Sequence, residues 1–166
     1  MTSTLLQKLT ETTRKTPVSL NISGQDIDFE IRIPLKAETE KVRGWYSQPD
    51  ESLVESEYAR IRNPLMESVA DVSGEKRTEL LSALNVIETD DDLFIKGTSV
   101  RIVAKSNVGN RLKTEWLFSL INDLDLEKPH TYEELAELLP ESVIRSMAQA
   151  IEEAIQPNYE VSRKKS

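Results

Sequence analysis

Residues 18–33 read VSLNISGQDIDFEIRI, and this stretch decides the fold. Apolar and polar side chains alternate on both sides of Ser23 and Gly24, a pattern typical of two strands joined by a tight turn. Pro34 ends the second strand, because proline has no N–H to donate to a strand ladder. We therefore predict a β-hairpin over 17–34. Two strands alone are marginal in water and leave unpaired edges, so the hairpin needs a cover.

Helical periodicity dominates the rest of the chain and supplies that cover. Residues 141–156 carry apolar side chains at helical spacing, and Thr131 with Glu134 forms a capping box that begins the preceding helix. We expect the helix over 141–156 to cover the apolar face of the hairpin, while the polar face stays in water. The predicted fold class is therefore α+β and predominantly α, with an N-terminal β-hairpin packed on a helical bundle.

The middle of the chain predicts shorter helices separated by breakers. We expect a helix to break near Gly44, another to be interrupted at Pro64, and Asn110 to cap a third that runs to about residue 123. Residues 98–105 fit a strand or a short helix capped by Thr98, and we favour the helix. Ser73 is the expected cap of a helix over 75–87. That helix carries an apolar stripe at helical spacing, formed by Leu80, Leu81, Leu84 and Ile87.

These elements predict one domain with two appendages. Residues 1–16 form a flexible or helical N-terminal arm, residues 17–157 a single domain, and residues 158–166 a mobile basic tail. We find no internal repeat and no linker that would divide the chain into independent domains.

Composition excludes several classes of protein. The chain has no cysteine, which removes disulfides, thiolate nucleophiles and cysteine-based zinc sites. Its net charge of −8 disfavours a dedicated nucleic-acid binder, and no apolar run is long enough to span a membrane. We therefore predict no cofactor, no nucleic acid and no membrane among its partners.

Charge is unevenly distributed along the chain. Residues 50–95 hold twelve acidic and four basic side chains, whereas residues 96–114 hold five basic and no acidic ones. Such blocks neutralise each other within one chain, meet between copies, or form two separately solvated faces. Two solvated faces are the ordinary expectation, because exposed ion pairs contribute little.

No residue pattern indicates catalysis or metal binding. His130 is the only histidine and has no nucleophile motif near it. Asp90, Asp91 and Asp92 are consecutive, which lacks the alternating spacing of a calcium loop and favours a solvated acidic turn. We predict that the chain is not an enzyme and has no catalytic, cofactor-binding or metal-binding residue.

The order of features resembles the tail assembly chaperones of long-tailed bacteriophages. The features are the hairpin TPVSLNISGQDIDFEIRIPL, the acidic turn TDDD and the helical pair LAELLPESVIRSMAQAIEEAIQPN, and the resemblance covers residues 16–157. It implies a non-enzymatic protein of the infected bacterial cytoplasm that binds the tape measure protein and helps recruit tail tube subunits. Contacts between the acidic block of one copy and the basic block of another would give a homo-oligomer. The segment from residue 93 to residue 121 is more elaborate than a minimal chaperone needs, and the resemblance does not explain the role of the basic C-terminal tail.

Two other roles fit a non-enzymatic chain of this kind. One is a structural virion component, such as a head–tail connector or a minor tail protein; the other is a small helical adaptor. For any of them we expect the partner surface to include Phe29, Ile31, Trp45 and Tyr46. Both hairpin edges lack an evident partner in the sequence, so we expect another copy or a partner strand to pair at least one edge.

Overall fold

The computed structural model describes residues 4–122, 124 and 130–156, so the predicted tail over 158–166 lies outside the described residues. Seven helices and five strands are described. In chain order they are α1 (Leu5–Thr13), β1 (Lys15–Ile22), β2 (Gln25–Arg32), α2 (Lys36–Ser47), α3 (Glu51–Ser68), α4 (Glu75–Ala83), β3 (Val86–Glu88), β4 (Leu93–Ile95), β5 (Thr98–Ser99), α5 (Val100–Phe118), α6 (Tyr132–Leu138) and α7 (Glu141–Ile155). Helices predominate and the N-terminal hairpin packs against them, which confirms the predicted fold class.

The chain divides into two compact units. Unit 1 comprises Met1–Val42 and Leu112–Ser166, and unit 2 comprises Arg43–Arg111. Unit 2 is therefore an insertion within unit 1, and its two boundaries fall inside α2 and α5. The single domain over 17–157 stays a prediction.

The hairpin of unit 1 forms as its sequence pattern predicts. β1 and β2 pair antiparallel, with Val18 opposite Phe29 and Ile22 opposite Gln25. Ser23 and Gly24 form the turn with φ of 53° and 83°. Positive φ at both turn residues gives a twist that matches the right-handed twist of the strands.

The apolar face of the hairpin lies in the core of unit 1. Val18 and Ile31 are buried there, and α7 packs against β1, which confirms the predicted cover. The capping box of α6 is also formed, with Thr131 accepting from the Glu134 N–H. The other buried members of this core are Leu117, Phe118, Leu120, Ile121, Leu135, Ile144 and Ile151.

The outer edge of β2 has a partner within the chain that was not evident from the sequence. The Arg32 N–H donates to the Leu120 carbonyl at 2.7 Å, and the Asn122 N–H donates to the Glu30 carbonyl at 2.9 Å. These two bonds flank a bridge between Ile31 and Ile121. The segment that follows α5 therefore acts as a short third strand.

Unit 2 builds its own core from α3, α4, α5 and a small antiparallel sheet of order β3-β4-β5. Val86 and Leu93 from the sheet are buried together with Leu81 of α4. Val69 and Val100 complete the buried set, and Tyr58, Ile61, Leu65, Met66 and Ile95 pack against it.

Two predicted helix breaks and one predicted helix start do not occur. α2 continues through Gly44, α3 continues through Pro64, and Asn110 lies inside α5 instead of capping a helix. A proline in a helix interior removes one hydrogen bond. In α3 the residues on both sides of Pro64, Ile61 and Leu65, pack against the core of unit 2, and this packing holds the helix together despite the lost bond.

Two predicted helix starts are shifted. α4 begins after Gly74 without a side-chain cap, not after Ser73. Thr98 and Ser99 form β5, and the helix begins at Val100, where the Ser99 hydroxyl accepts from the Ile102 N–H at 3.0 Å. Serine accepting from the third helical N–H is the ordinary N-cap arrangement. The preferred helix over 98–105 is therefore right from Val100 onward, and its predicted cap at Thr98 is wrong by one residue.

Candidate interaction surfaces

The four predicted interface residues differ in exposure. Ile31 has no exposed surface, and Phe29 is half-buried against the core of unit 1. Trp45 is 55% exposed, and Tyr46 is half-buried. The first two belong to unit 1 and the last two to unit 2. In this fold Ile31 stabilises the hairpin, while Trp45 presents the largest exposed aromatic surface of the four.

The polar face of the hairpin is ordered by cross-strand hydrogen bonds. The Ser19 hydroxyl donates to the Asp28 carboxylate at 2.5 Å, and the Asn21 amide donates to the Asp26 carboxylate at 2.7 Å. Both pairs lie directly opposite each other in the register, where side chains approach closely. All four side chains are exposed, as the sequence pattern predicts.

The outer edge of β1 has a different environment from that of β2. The Ile33 N–H donates to the Arg14 carbonyl at 2.7 Å. The backbone N–H and C=O groups of even-numbered residues in β1 therefore point to β2, and those of odd-numbered residues point outward. Among the described residues, no backbone hydrogen bond reaches the outward groups of Lys15, Pro17, Ser19 and Asn21. Pro17 has no N–H, so the continuous part of this edge is Ser19–Asn21.

Glu57 is the one buried carboxylate among the described residues. Its carboxylate is 3% exposed and accepts two bonds from the Arg60 guanidinium at 2.7 and 2.8 Å. The Asn107 amide donates at 3.0 Å and Arg111 at 3.3 Å. The Arg60 hydrogen bonds, with those of Asn107 and the charge of Arg111, outweigh desolvation and lower the pKa of Glu57 to about 2. A carboxylate with these partners is ionised at neutral pH, and it links α3 to α5.

Arg101 forms a second link between the same two helices. Its guanidinium is bound to Glu55, lies 3.6 Å from Glu51 and stacks 4.6 Å from the centre of the Tyr58 ring. The acidic and basic blocks therefore meet inside unit 2 through the arginines of α5. The sequence left three alternatives open for these blocks. The contacts of these arginines show that acidic and basic side chains neutralise each other within the chain.

The acidic turn is only partly solvated. Asp90 and Asp91 are exposed, but Asp92 is half-buried and accepts from the Leu93 N–H at 2.7 Å, from the Arg101 N–H at 3.1 Å and from the Ser99 hydroxyl. Burial raises the pKa of Asp92, and these hydrogen bonds more than offset it, so that the pKa is lowered. Asp92 thus fixes the start of α5. No cluster of acidic or histidine side chains among the described residues could hold a metal ion.

His130 belongs to the cap of α6. Its Nδ1 lies 3.5 Å from the Glu134 carboxylate, which also accepts the Thr131 N–H at 3.0 Å. The hydrogen bond from the Thr131 N–H is the main cause of the lowered pKa of Glu134. The geometry therefore places His130 beside a structural hydrogen-bond network.

The sequence pattern did not reveal two features of unit 2. One is Gly109, where an added Cβ would collide with the backbone carbonyl of Tyr46; in the sequence this glycine lay just before the predicted cap Asn110 and gave no sign of a close approach. The other is the outward direction of Leu80, Leu84 and Ile87, since only Leu81 of the predicted stripe is buried. Helix α4 ends at Ala83, and the left-handed Asn85 closes it. Asparagine just after a helical stretch is a recognised stop signal.

No helix in the described part of the chain is long and apolar enough to cross a membrane. Comparison with protein-family models, curated proteins and solved structures finds no match to this chain.

Proposed function

We propose that the protein is a non-enzymatic tail assembly chaperone of a long-tailed bacteriophage. In this role it binds the tape measure protein in the cytoplasm of the infected host and helps recruit tail tube subunits. The sequence resemblance over residues 16–157 supports the proposal. The observation that carries it is the hairpin: helix α7 packs on it, residues 120–122 pair one edge, and the other edge has no backbone partner among the described residues.

An open strand edge is suited to reversible protein binding. An added strand forms main-chain hydrogen bonds with the edge, and the side chains beside it give specificity. Pro17 interrupts the outer edge of β1, so Ser19–Asn21 offers only a short ladder. Few hydrogen bonds mean a modest affinity, and an assembly chaperone has to be displaced after it has bound.

Replacing Ser19 by proline tests this edge without opening the hairpin. The Ser19 N–H points outward, so proline removes a donor to the partner and no bond to β2. We expect the Ser19→Pro variant to bind the tape measure protein of the same phage at least about tenfold more weakly, measured by titration with purified proteins. The Ser19→Ala variant is the control, because it removes only the hydroxyl bond to Asp28. Equal affinities for the two variants would show that the edge is not used.

Composition of the finished particle tests the proposed role itself. A chaperone that is displaced during assembly is expected to be missing from purified virions, while the tape measure protein is detected in the same mass-spectrometry experiment. Detection of this chain in virions at a stoichiometric copy number would overturn the proposal and indicate a connector or a minor tail protein instead. A fixed ring of the isolated protein in solution would point the same way.

A further inference from the structure

The polar face of the hairpin carries two carboxylates without a cationic partner. Asp28 lies opposite Ser19 in the register, and Asp26 lies opposite Asn21, so all four side chains share one face. Each carboxylate accepts a hydrogen bond from its neutral neighbour in β1, and among the described residues no ion pair reaches either one. Because these bonds draw both carboxylates towards β1, their negative charge lies on the side of the hairpin where the strand edge is open.

The other charged side chains of the hairpin are already paired. The Lys15 ammonium lies 3.4 Å from the Glu30 carboxylate. Arg32 forms two hydrogen bonds with Glu38, at 2.5 and 2.7 Å, and Arg14 lies 3.9 Å from the same carboxylate. These cations lie at the open end of the hairpin, about 13 Å along the strand from the nearer aspartate, which is beyond the range of an effective charge interaction at physiological salt. The unpaired negative charge therefore lies towards the turn.

The opposite face of β1 is apolar. Val18 is buried in the core of unit 1, Leu20 and Ile22 are half-buried, and α7 packs against this strand. In a strand added to the outer edge, a residue beside Leu20 would meet apolar side chains, and residues beside Ser19 and Asn21 would lie on the acidic face. The edge therefore demands two kinds of side chain, alternating with a period of two.

We propose that the outer edge of β1 binds a partner strand in which apolar side chains alternate with lysine or arginine. The apolar side chains of that strand extend the apolar face of the hairpin. Its basic side chains reach over the short side chains of Ser19 and Asn21 to the two aspartates. The inference rests on the proposed function for the use of this edge, and it adds the chemical class of the segment that the edge accepts.

A second copy of the chain fits the edge less well. Its own β1 presents Pro17, Ser19 and Asn21, which carry no charge, and its Lys15 is already bound to Glu30. Two copies joined at this edge would therefore leave the aspartates of both without a cation.

Two synthetic nine-residue peptides provide the test, one alternating valine with lysine and the other alternating valine with glutamate. Fluorescence anisotropy with the full chain is expected to show binding of the lysine peptide only, weakening as salt is raised. The double substitution Asp26→Asn with Asp28→Asn is expected to raise the Kd about fivefold, because asparagine still accepts the bonds from β1 but carries no charge. The matched control is Asp90→Asn with Asp91→Asn, which makes the same change of net charge on two exposed side chains of unit 2.

Four outcomes would overturn the inference: equal binding of both peptides, equal losses in the two double variants, unchanged binding of the lysine peptide by the Ser19→Pro variant, or a self-association that Ser19→Pro abolishes. The third would show that charge alone attracts the peptide, and the last that a second copy occupies the edge. If Ser19→Pro weakens binding of the tape measure protein and the Asp26 and Asp28 substitutions do not, this inference fails and the proposed function stands. Because virion composition plays no part in the peptide titration, the chaperone proposal can also fail while the preference of the edge stands.

Discussion

Replacing Gly109 by alanine is expected to lower the free energy of unfolding of unit 2 by about 2–3 kcal/mol. The added methyl group would overlap the backbone carbonyl of Tyr46. A clash with a flexible side chain is relieved by rotation, but a helix carbonyl cannot rotate away. Either α2 and α5 separate locally, or the backbone of one of them distorts. Thermal and urea unfolding followed by circular dichroism measure the loss.

Gly44 provides a matched control for this substitution. It also lies inside a helix, and an added Cβ would meet no atom within 4 Å. Alanine at this position is expected to stabilise the chain by roughly 0.5–1 kcal/mol, because glycine loses more backbone entropy in a helix. Opposite signs at the two glycines would establish that close approach, not helix propensity, sets the effect at Gly109. Stabilisation by both substitutions would contradict the contact between α2 and α5.

The sequence predicts those parts of the fold that depend on residues close together along the chain. The hairpin follows from a period of two and a turn that accepts positive φ, and both can be seen within 18–33. Pro64 and Gly44 predicted breaks for the same local reason. At Pro64 the prediction failed because packing along α3 outweighs one lost hydrogen bond. The pairing of β2 with residues 120–122 joins segments about ninety positions apart, and no local pattern indicates it.

The sequence does not show which of the many acidic side chains of unit 2 is buried. Glu57 is one of twelve acidic residues between 50 and 95, and nothing in its neighbourhood distinguishes it from the exposed Glu55. Its burial depends on Asn107 and Arg111, which lie fifty or more positions further along the chain. The apolar stripe of α4 misleads for a related reason. Spacing shows which side chains share a face of a helix, but the helix ends at Ala83, so Leu84 and Ile87 are no longer on that face.

Replacing Glu57 by glutamine is expected to have the largest effect on stability, a loss of about 3 kcal/mol at pH 7. The amide keeps the size of the side chain but removes the charge that Arg60 and Arg111 share, and its NH₂ group cannot accept a hydrogen bond. Glu55→Gln is the control, since Glu55 is a half-exposed partner of Arg101 and such pairs contribute at most about 1 kcal/mol. Urea unfolding of both variants beside the unaltered chain measures the difference.

The same carboxylate predicts how stability depends on pH. Its pKa in the folded chain, about 2, lies below the ordinary value of 4.5, so the stabilisation is fully present above pH 4.5 and is lost as pH falls towards 2. The difference between these two pKa values corresponds to about 3 kcal/mol in the free energy of unfolding. The free-energy difference between the unaltered chain and the Glu57→Gln variant should therefore be constant from pH 7 to pH 5 and then shrink. Other acids titrate in both proteins and cancel in this difference. A difference that stays constant down to pH 2.5 would show that Glu57 is not held ionised by Arg60, Asn107 and Arg111.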